Sequence, residues 1–416
     1  MLTKEENEFL TRVGPGTPGG NLLRKYWHPV FPSAELSEGR TKRIRVLGED
    51  LVVFKLKNGT IGLLDDRCSH RLASLSYGFV EEDGLRCAYH GWKYSKDGAC
   101  IEQPFEPDSS DYKSRIKQKS YKAEELCGLV WVYMGDDPVP ELPKLKLFTI
   151  KNGLRWVMYT DLNANWVQLA ENMHDGQHVF YLHGEMMYRR AGLETLFHKK
   201  IDSIEFTPYD WGIIPKRTYV FEDGSKYKEL GHPIIFPNIN YALPSPVGIT
   251  CNVFVPIDDA HSRFIALVFI PSASGEEMDQ DYIPSMDITS IGKPSNAYNM
   301  DNINGTDMMA WETQGAILDR TKEHLGASDR GAIMFRQLLK KEILKVQDKK
   351  DPIALSRNGI VEPEELNLQI AYEDFGQHQK INGALQQKVY NSILRGKIPE
   401  EAIGFGGKVK GSPSTA

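Results

Sequence analysis

Two short stretches of this chain concentrate side chains that bind metals. Cys68-Ser69-His70 and Cys87-Ala88-Tyr89-His90 form a C-x-H pair and a C-x-x-H pair with sixteen residues between them. Two thiolates and two imidazoles can close a tetrahedral zinc site, or hold a [2Fe-2S] cluster in which two histidines replace two cysteines on one iron. Each pair here joins one Cys to one His. The cluster needs that arrangement, because each of two loops then gives sulfur to one iron and nitrogen to the other. Zinc is the alternative.

The second stretch is ENMHDGQHVFYLH (171–183), with three histidines and two acids in thirteen residues. His174 and His178 are four apart and would meet on one face of a helix, as paired zinc ligands often do. His178 and His183 are five apart, a step that a regular helix does not bring to one face. Two neutral imidazoles and one carboxylate on one face of Fe(II) leave positions open for O2 and for approach of substrate, which a closed four-ligand site cannot. Glu171, Asp301, Asp307 and Glu312 are the carboxylates that compete for the third place.

The elements that must position these groups fall into two parts. Residues 3–12 read as a short helix, followed by the turn-rich VGPGTPGGN. From about Arg43 short strands take over: RIRVLGEDLVVFKLKNGTIGLLD alternates apolar and polar residues, with turns at Gly48-Glu49-Asp50 and Asn58-Gly59. DDPVPELPKL (136–145) sets three prolines in a polar stretch and marks the domain boundary. Beyond it come a strand at RWVMYT and a helix from near Asn165 that puts Trp166, Leu169 and Met173 on one face. Strands at RTYVF, GITCNVFVPI and RFIALVFIP follow. Helical patterns return from Asp307 to about Gln347, interrupted by EHLGASD, and a last helix is expected over Asn382–Leu394. The expected fold is α+β: residues 1–140 an N-terminal helix and an all-β domain (core 27–135), residues 141–400 an antiparallel sheet with helices, and 401–416 a flexible tail.

Composition sets bounds. At 416 residues, 41% hydrophobic and 25% charged, the chain is long enough for two domains or three. A net charge of -6 argues against nucleic acid as a partner. No apolar run approaches the ~18 residues that span a bilayer, and the N-terminus is charged rather than a secretory signal, so the cytoplasm is the expected compartment. Five cysteines do not make a disulfide framework in a chain this size, and Cys100, Cys127 and Cys251 read as simple buried thiols.

With HRLASLSYG (70–78) after the first pair and HGWKYSKDG (90–98) after the second, the first cluster resembles the Rieske domain, whose loops read C-x-H-R and C-x-x-H-G-W-x-Y-x-x-D-G. Ser69 and Ala88 stand where Pro is commoner there. A Rieske domain followed by a His-rich helix resembles the catalytic subunit of the Rieske non-heme iron oxygenases. That resemblance assigns Cys68, His70, Cys87 and His90 to the [2Fe-2S] cluster. The family's iron motif, N-x-x-D-x-x-H-x-x-x-x-H, is met by Asn172, Asp175, His178 and His183, and TDMMAWETQG (306–315) makes Asp307 the third iron ligand. It also implies that Asp175 bridges His90 of one subunit to His178 of the next, with His174 a bystander near the pocket or packed beside the helix.

NEFLTRVGPGTPGGNLLRKYWHPV (7–30) and ILDRTKEHLGASD (317–329) resemble the phthalate dioxygenase branch, and the resemblance runs from about residue 5 to residue 340. It implies a homotrimer or dimer of trimers, electrons from NADH through a separate flavin and iron–sulfur reductase, and an aromatic substrate, expected to be a carboxylate. The outcome is ring dihydroxylation or O-demethylation. GEMMYRRAGLETLFHKK (184–200) is expected to line the pocket. Arg189, Arg190, Lys199, Lys200, Arg217 and Arg263 are the cations available to a substrate carboxylate, and Asn172 and Gln314 are further candidates for the pocket. Two rival readings remain: a Rieske electron-transfer protein with a binding domain and no oxygen chemistry, and a zinc-stabilised interaction protein.

Overall fold

The structure is a computed structural model that describes residues 1–356 except 108, 187–198, 222, 229–230, 246–247 and 273–274, together with Leu366 and Arg395. The expected helix over Asn382–Leu394 and the expected tail lie outside the described residues.

The first helix, Lys4–Thr11, is closed at its start by a capping box in which Thr3 and Glu6 satisfy each other's backbone N–H groups. The glycine-rich stretch after it is not all turn. Pro18–Leu23 forms a second short helix capped by Thr17. Its glycines permit close packing: a Cβ on Gly20 would come 2.3 Å from the Gly14 carbonyl oxygen.

The N-terminal part is a six-stranded antiparallel sheet in the order Trp27–Pro32, Leu129–Tyr133, Ser120–Leu126, Ile61–Asp65, Glu49–Lys55, Thr41–Val46. The Asn58-Gly59 hairpin lies where the sequence puts it. The preceding turn differs: it is made by Leu47 and Gly48, both at positive φ, while Glu49 and Asp50 already belong to a strand. Leu47 is fully buried and its N–H donates to Pro256 O, which offsets the strain of a left-handed leucine. A separate four-stranded antiparallel sheet, Phe79–Val80 through Cys100–Glu102, carries the second Cys–His pair between its middle strands.

The C-terminal part is built on a nine-stranded sheet centred on Ser262–Pro271, flanked by Gly248–Pro256 and Gly153–Leu162. FIALVFI is buried throughout, as an apolar run in a covered central strand must be. Helices Trp166–Met173, Ile303–Thr313 and Arg330–Gln347 accompany this sheet. The proline-rich 136–145 stretch is not a loose linker, since Leu142 and Leu145 are buried in one core with Trp131, Trp156 and Trp166. Among the described residues no helix is long and apolar enough to cross a membrane.

Candidate active site

The two Cys–His loops close by the same turn. Cys68 N–H donates to Ala73 O and Cys87 N–H to Trp92 O; Leu72 N–H returns to Cys68 O and Gly91 N–H to Cys87 O. The residue four after each cysteine sits at positive φ, Gly91 in one loop and Leu72 in the other. Buried Gln118 holds the first loop by donating to the Asp65 and Arg67 carbonyls and accepting from Ser69 N–H. Arg86 holds the second by donating to Gly91 O while paired to Glu81 and Glu102. Nothing in the sequence marked Gln118, because its work is done across the fold on backbone groups.

These turns bring the four side chains together. The His70 and His90 rings are 4.8 Å apart, and Trp92 stacks on His70 at 4.3 Å. Cys68 and Cys87 are buried and within hydrogen-bonding reach of each other. The interaction between the two thiols lowers the pKa of Cys87 and raises that of Cys68. Tyr94 Oη lies 3.1 Å from Cys68 Sγ.

The second stretch divides into helix, turn and a wider helix. Asn165 caps the helix Trp166–Met173 by accepting from Val167 N–H, and the helix ends at His174. Asp175 turns the chain, its Oδ1 accepting from Gln177 N–H. Val179–Met186 is then a π-helix. His178 stands just before it and His183 within it, and its wider i→i+5 winding brings residues five apart closer to one face than an α-helix does. The two rings stand 5.3 Å apart.

Asp307 reaches them from the helix Ile303–Thr313, which starts earlier and stops sooner than the sequence pattern implies. Asn302 caps its start, accepting from Asn304 and Gly305 N–H, and Gly315 at φ +91° follows its end. Ligand atoms of His178, His183 and Asp307 lie within 4.8 Å of one another. His183 Nε2 is 3.2 Å from Asp307 Oδ1. His178 Nδ1 lies 2.5 Å from the Asp175 carbonyl oxygen and 3.8 Å from Asp175 Oδ2. Burial lowers the His178 pKa despite the nearby acids, which keeps the ring neutral.

The rivals are engaged elsewhere. His174 is buried, with Nδ1 2.8 Å from Ala170 O and its ring stacked on Phe335; burial lowers its pKa to about 4. Glu171 accepts both donors of a bidentate Arg320 and one from Arg336. Glu312 accepts from Asn163 N–H, Lys293 and Tyr298. Asp301 lies on the exposed turn before the Asp307 helix.

Candidates for the substrate side divide likewise. Arg217 packs beside the Asp175–Gly176 turn, since a Cβ on Gly176 would come 3.4 Å from its Cδ. Asn172 is half-buried on the helix that ends at His174, six residues before His178. Gln314 is exposed and folds back onto Ala310 O, so it is not brought to the cluster. Arg263 is tied to Asp161 and to Val30 O. Arg189, Arg190 and the side chains of Lys199 and Lys200 lie outside the described residues. Sequence reasoning missed His232, which burial, with Arg217, His174 and His178 nearby, lowers to about 3. No spacing relates it to the other histidines.

Comparison with known proteins places this arrangement. Residues 26–121 match the family described as Rieske [2Fe-2S] domain, and residues 237–372 match that described as LigXa C-terminal domain like. The chain is 37% identical over 366 residues to the 5,5'-dehydrodivanillate O-demethylase oxygenase subunit of Sphingobium sp. (strain NBRC 103272 / SYK-6), covering 86% of this chain and 84% of that one. The chain belongs to the Rieske non-heme iron oxygenases. It is also 34% identical over 372 residues to the phenoxybenzoate dioxygenase subunit alpha of Ectopseudomonas oleovorans, covering 84% of this chain and 87% of that one. The fold of this Rieske oxygenase is shared with the terminal oxygenase of carbazole 1,9a-dioxygenase from Nocardioides aromaticivorans IC177, at a TM-score of 0.60 and 19% identity over 81% of this chain and 96% of that one.

As a Rieske oxygenase subunit, the protein has a [2Fe-2S] cluster and a mononuclear iron as its cofactors. The residues present fit both groups. His90 Nδ1 and Asp307 Oδ1 are buried with no hydrogen-bond partner, which is costly for a polar atom unless something else binds it. Two unbridged thiols beside two imidazoles suit the cluster, and two imidazoles with one carboxylate suit Fe(II).

Proposed function

We propose that Cys68, His70, Cys87 and His90 hold the cluster, that His178, His183 and Asp307 hold the iron, and that the enzyme oxygenates an aromatic carboxylate. The observation that carries this reading is the convergence of His178, His183 and Asp307 within 4.8 Å, while Glu171, Glu312 and His174 are each satisfied by other partners. The cluster supplies single electrons and the iron supplies oxygen activation, each when bound.

The chain's own side chains do the rest. The Asp175 carbonyl oxygen accepts the His178 Nδ1–H and leaves Nε2 for the metal. The Asp175 carboxylate is 43% exposed, 3.8 Å from His178 Nδ1 and open enough to meet His90 of a second copy. That supports an inter-subunit bridge, and with it a homotrimer or a dimer of trimers. Electrons come from NADH through a separate flavin and iron–sulfur reductase, in the cytoplasm. Residues 1–140 form the electron-receiving domain and 141–400 the catalytic domain.

Both curated relatives above are named for aromatic acids, which supports an aromatic carboxylate as substrate, processed by ring dihydroxylation or O-demethylation. Arg217, beside the Asp175–Gly176 turn, pairs with its carboxylate, and neutral His232 offers a hydrogen bond next to it.

The purified protein should be red-brown with about three irons per chain, two in the cluster and one mononuclear. Asp307→Ala should keep the colour and lose both the third iron and turnover; turnover that survives sinks the carboxylate assignment. Aromatic acids that stimulate NADH oxidation with a surrogate reductase, followed by product identification, test the substrate class.

A further inference from the structure

An imidazole binds a metal through the nitrogen that carries no proton, so its other nitrogen must give its hydrogen to an acceptor. For His178 that acceptor is the Asp175 carbonyl oxygen, which cannot donate. His183 is different. Its Nδ1 faces the Thr306 hydroxyl at 3.2 Å. A hydroxyl can donate or accept, so this contact alone would leave the His183 tautomer open.

A second contact closes the question. Thr306 Oγ1 also lies 2.8 Å from Ile303 O, three residues back on the same helix. A carbonyl only accepts, so the hydroxyl's one proton is committed there, and lone pairs are what it offers His183. Thr306 is fully buried, so water does not compete. The segment has little play: a Cβ on Gly305 would come 2.1 Å from Asn299 O and 2.8 Å from Gly292 O, so this turn of helix packs backbone to backbone.

We propose that Thr306 is the positioning residue of the iron site, accepting the Nδ1–H of His183 and so presenting Nε2 toward Asp307. That nitrogen lies 3.2 Å from Asp307 Oδ1, an oxygen with no hydrogen-bond partner. Consecutive residues of one helix then do complementary work: Thr306 orients one ligand and Asp307 is another. A shift of the helix moves both together and preserves their relation. The proposal rests on reading His178, His183 and Asp307 as the iron site.

Thr306→Val is nearly isosteric and removes the acceptor, whereas Thr306→Ser keeps it. Fe(II) affinity, measured by competition with a chelator, should weaken about 10–100-fold in Thr306→Val and stay within about threefold of wild type in Thr306→Ser. The visible spectrum of the cluster should be unchanged in both, which reports an intact cluster domain, and the thermal unfolding midpoint should match wild type in both, which reports the rest of the fold. Wild-type iron affinity in Thr306→Val overturns the proposal. A measurement on the unsubstituted protein stands apart from any folding defect. In 15N-histidine-labelled, Zn(II)-loaded protein, His183 should carry its proton on Nδ1, and zinc bound through Nδ1 overturns the proposal. Asp307→Ala separates the two ideas: if it too binds iron normally the site reading fails, and if it alone loses iron only the role of Thr306 fails.

Discussion

Around the cluster loops the charged side chains that brace the fold stand in contact with water, whereas beneath the histidine–aspartate centre they are sealed from it. Arg86, which holds the second cluster loop, is 19% exposed and its partners Glu81 and Glu102 are 35% and 42% exposed. Arg320 is 0% exposed and its partner Glu171 10%. The apolar packing differs in the same way. Cys68, Cys87, Trp92 and Tyr94 belong to a small separate core, while the helix leading to His178 is rooted in the main core with Trp156 and Phe335. An electron-transfer centre needs its ligand rings within reach of partners, so its scaffold ends at the surface. A site that handles oxygen needs donors held to fractions of an ångström, so its supports are buried and fully paired.

The first way to break this comparison is to cut one arginine on each side. Arg320→Met leaves Glu171 with Arg336 and deprives Asn7 of its donor. Removing one partner of a buried pair costs about 3–5 kcal/mol, so thermal unfolding should shift down by several degrees at least. Arg86→Met should cost about 1 kcal/mol or less, and the loss should shrink with added salt. Equal losses in calorimetry would mean that burial is not what separates the regions.

The second way uses pH. His174, fully enclosed against Phe335, titrates at about 4 because burial penalises its charged form. The unfolded chain, where His titrates near ~6.5, therefore binds more protons than the folded one between those values. Stability from this group is present above pH ~6.5 and falls as pH drops toward about 4, by an amount of order 3 kcal/mol. Glu171 works in the same direction at lower pH: burial would raise it, but Arg320 and Arg336 outweigh that and lower it, so its contribution is lost only once acid protonates it. Denaturant unfolding at a series of pH values should show the first slope flattened in His174→Gln; an unchanged slope would assign it to other buried histidines such as His28.

How much of this was legible in the sequence follows from how local each feature is. The Cys–His pairs and the Asn58-Gly59 hairpin are written in a few consecutive residues, and the structure brings them together as spacing implies. Asp307 lies far from His178 in the chain, and resemblance rather than periodicity singled it out. The π-helix was visible only as a misfit, a five-residue step with no regular helix to suit it. Glu171 looked like a possible ligand because nothing in its neighbourhood announces Arg320 or Arg336, which arrive from 149 and 165 residues away. The short helix at Pro18–Leu23 was hidden by Gly19 and Gly20, whose poor helix propensity is outweighed by the close packing that they alone allow.

The smallest expected effect tests the cluster side alone. Tyr94 is buried, with its hydroxyl 3.1 Å from Cys68 Sγ, and burial raises its pKa so that the hydroxyl keeps its proton and donates. A hydrogen bond to a ligand sulfur is worth more when the cluster carries the extra negative charge of its reduced state, so it raises the potential. If that difference is about 1 kcal/mol, its loss moves a one-electron couple by roughly 40 mV. Tyr94→Phe keeps the ring and its packing. A redox titration followed by the cluster's visible bands should therefore find a midpoint lower by tens of millivolts, while Fe(II) affinity at the mononuclear site stays at the wild-type value. A lowered potential with intact iron binding would show that the two regions are tuned independently. An unchanged midpoint would remove Tyr94 from the cluster's tuning, and weakened iron binding would mean that the small core and the large one are mechanically coupled after all.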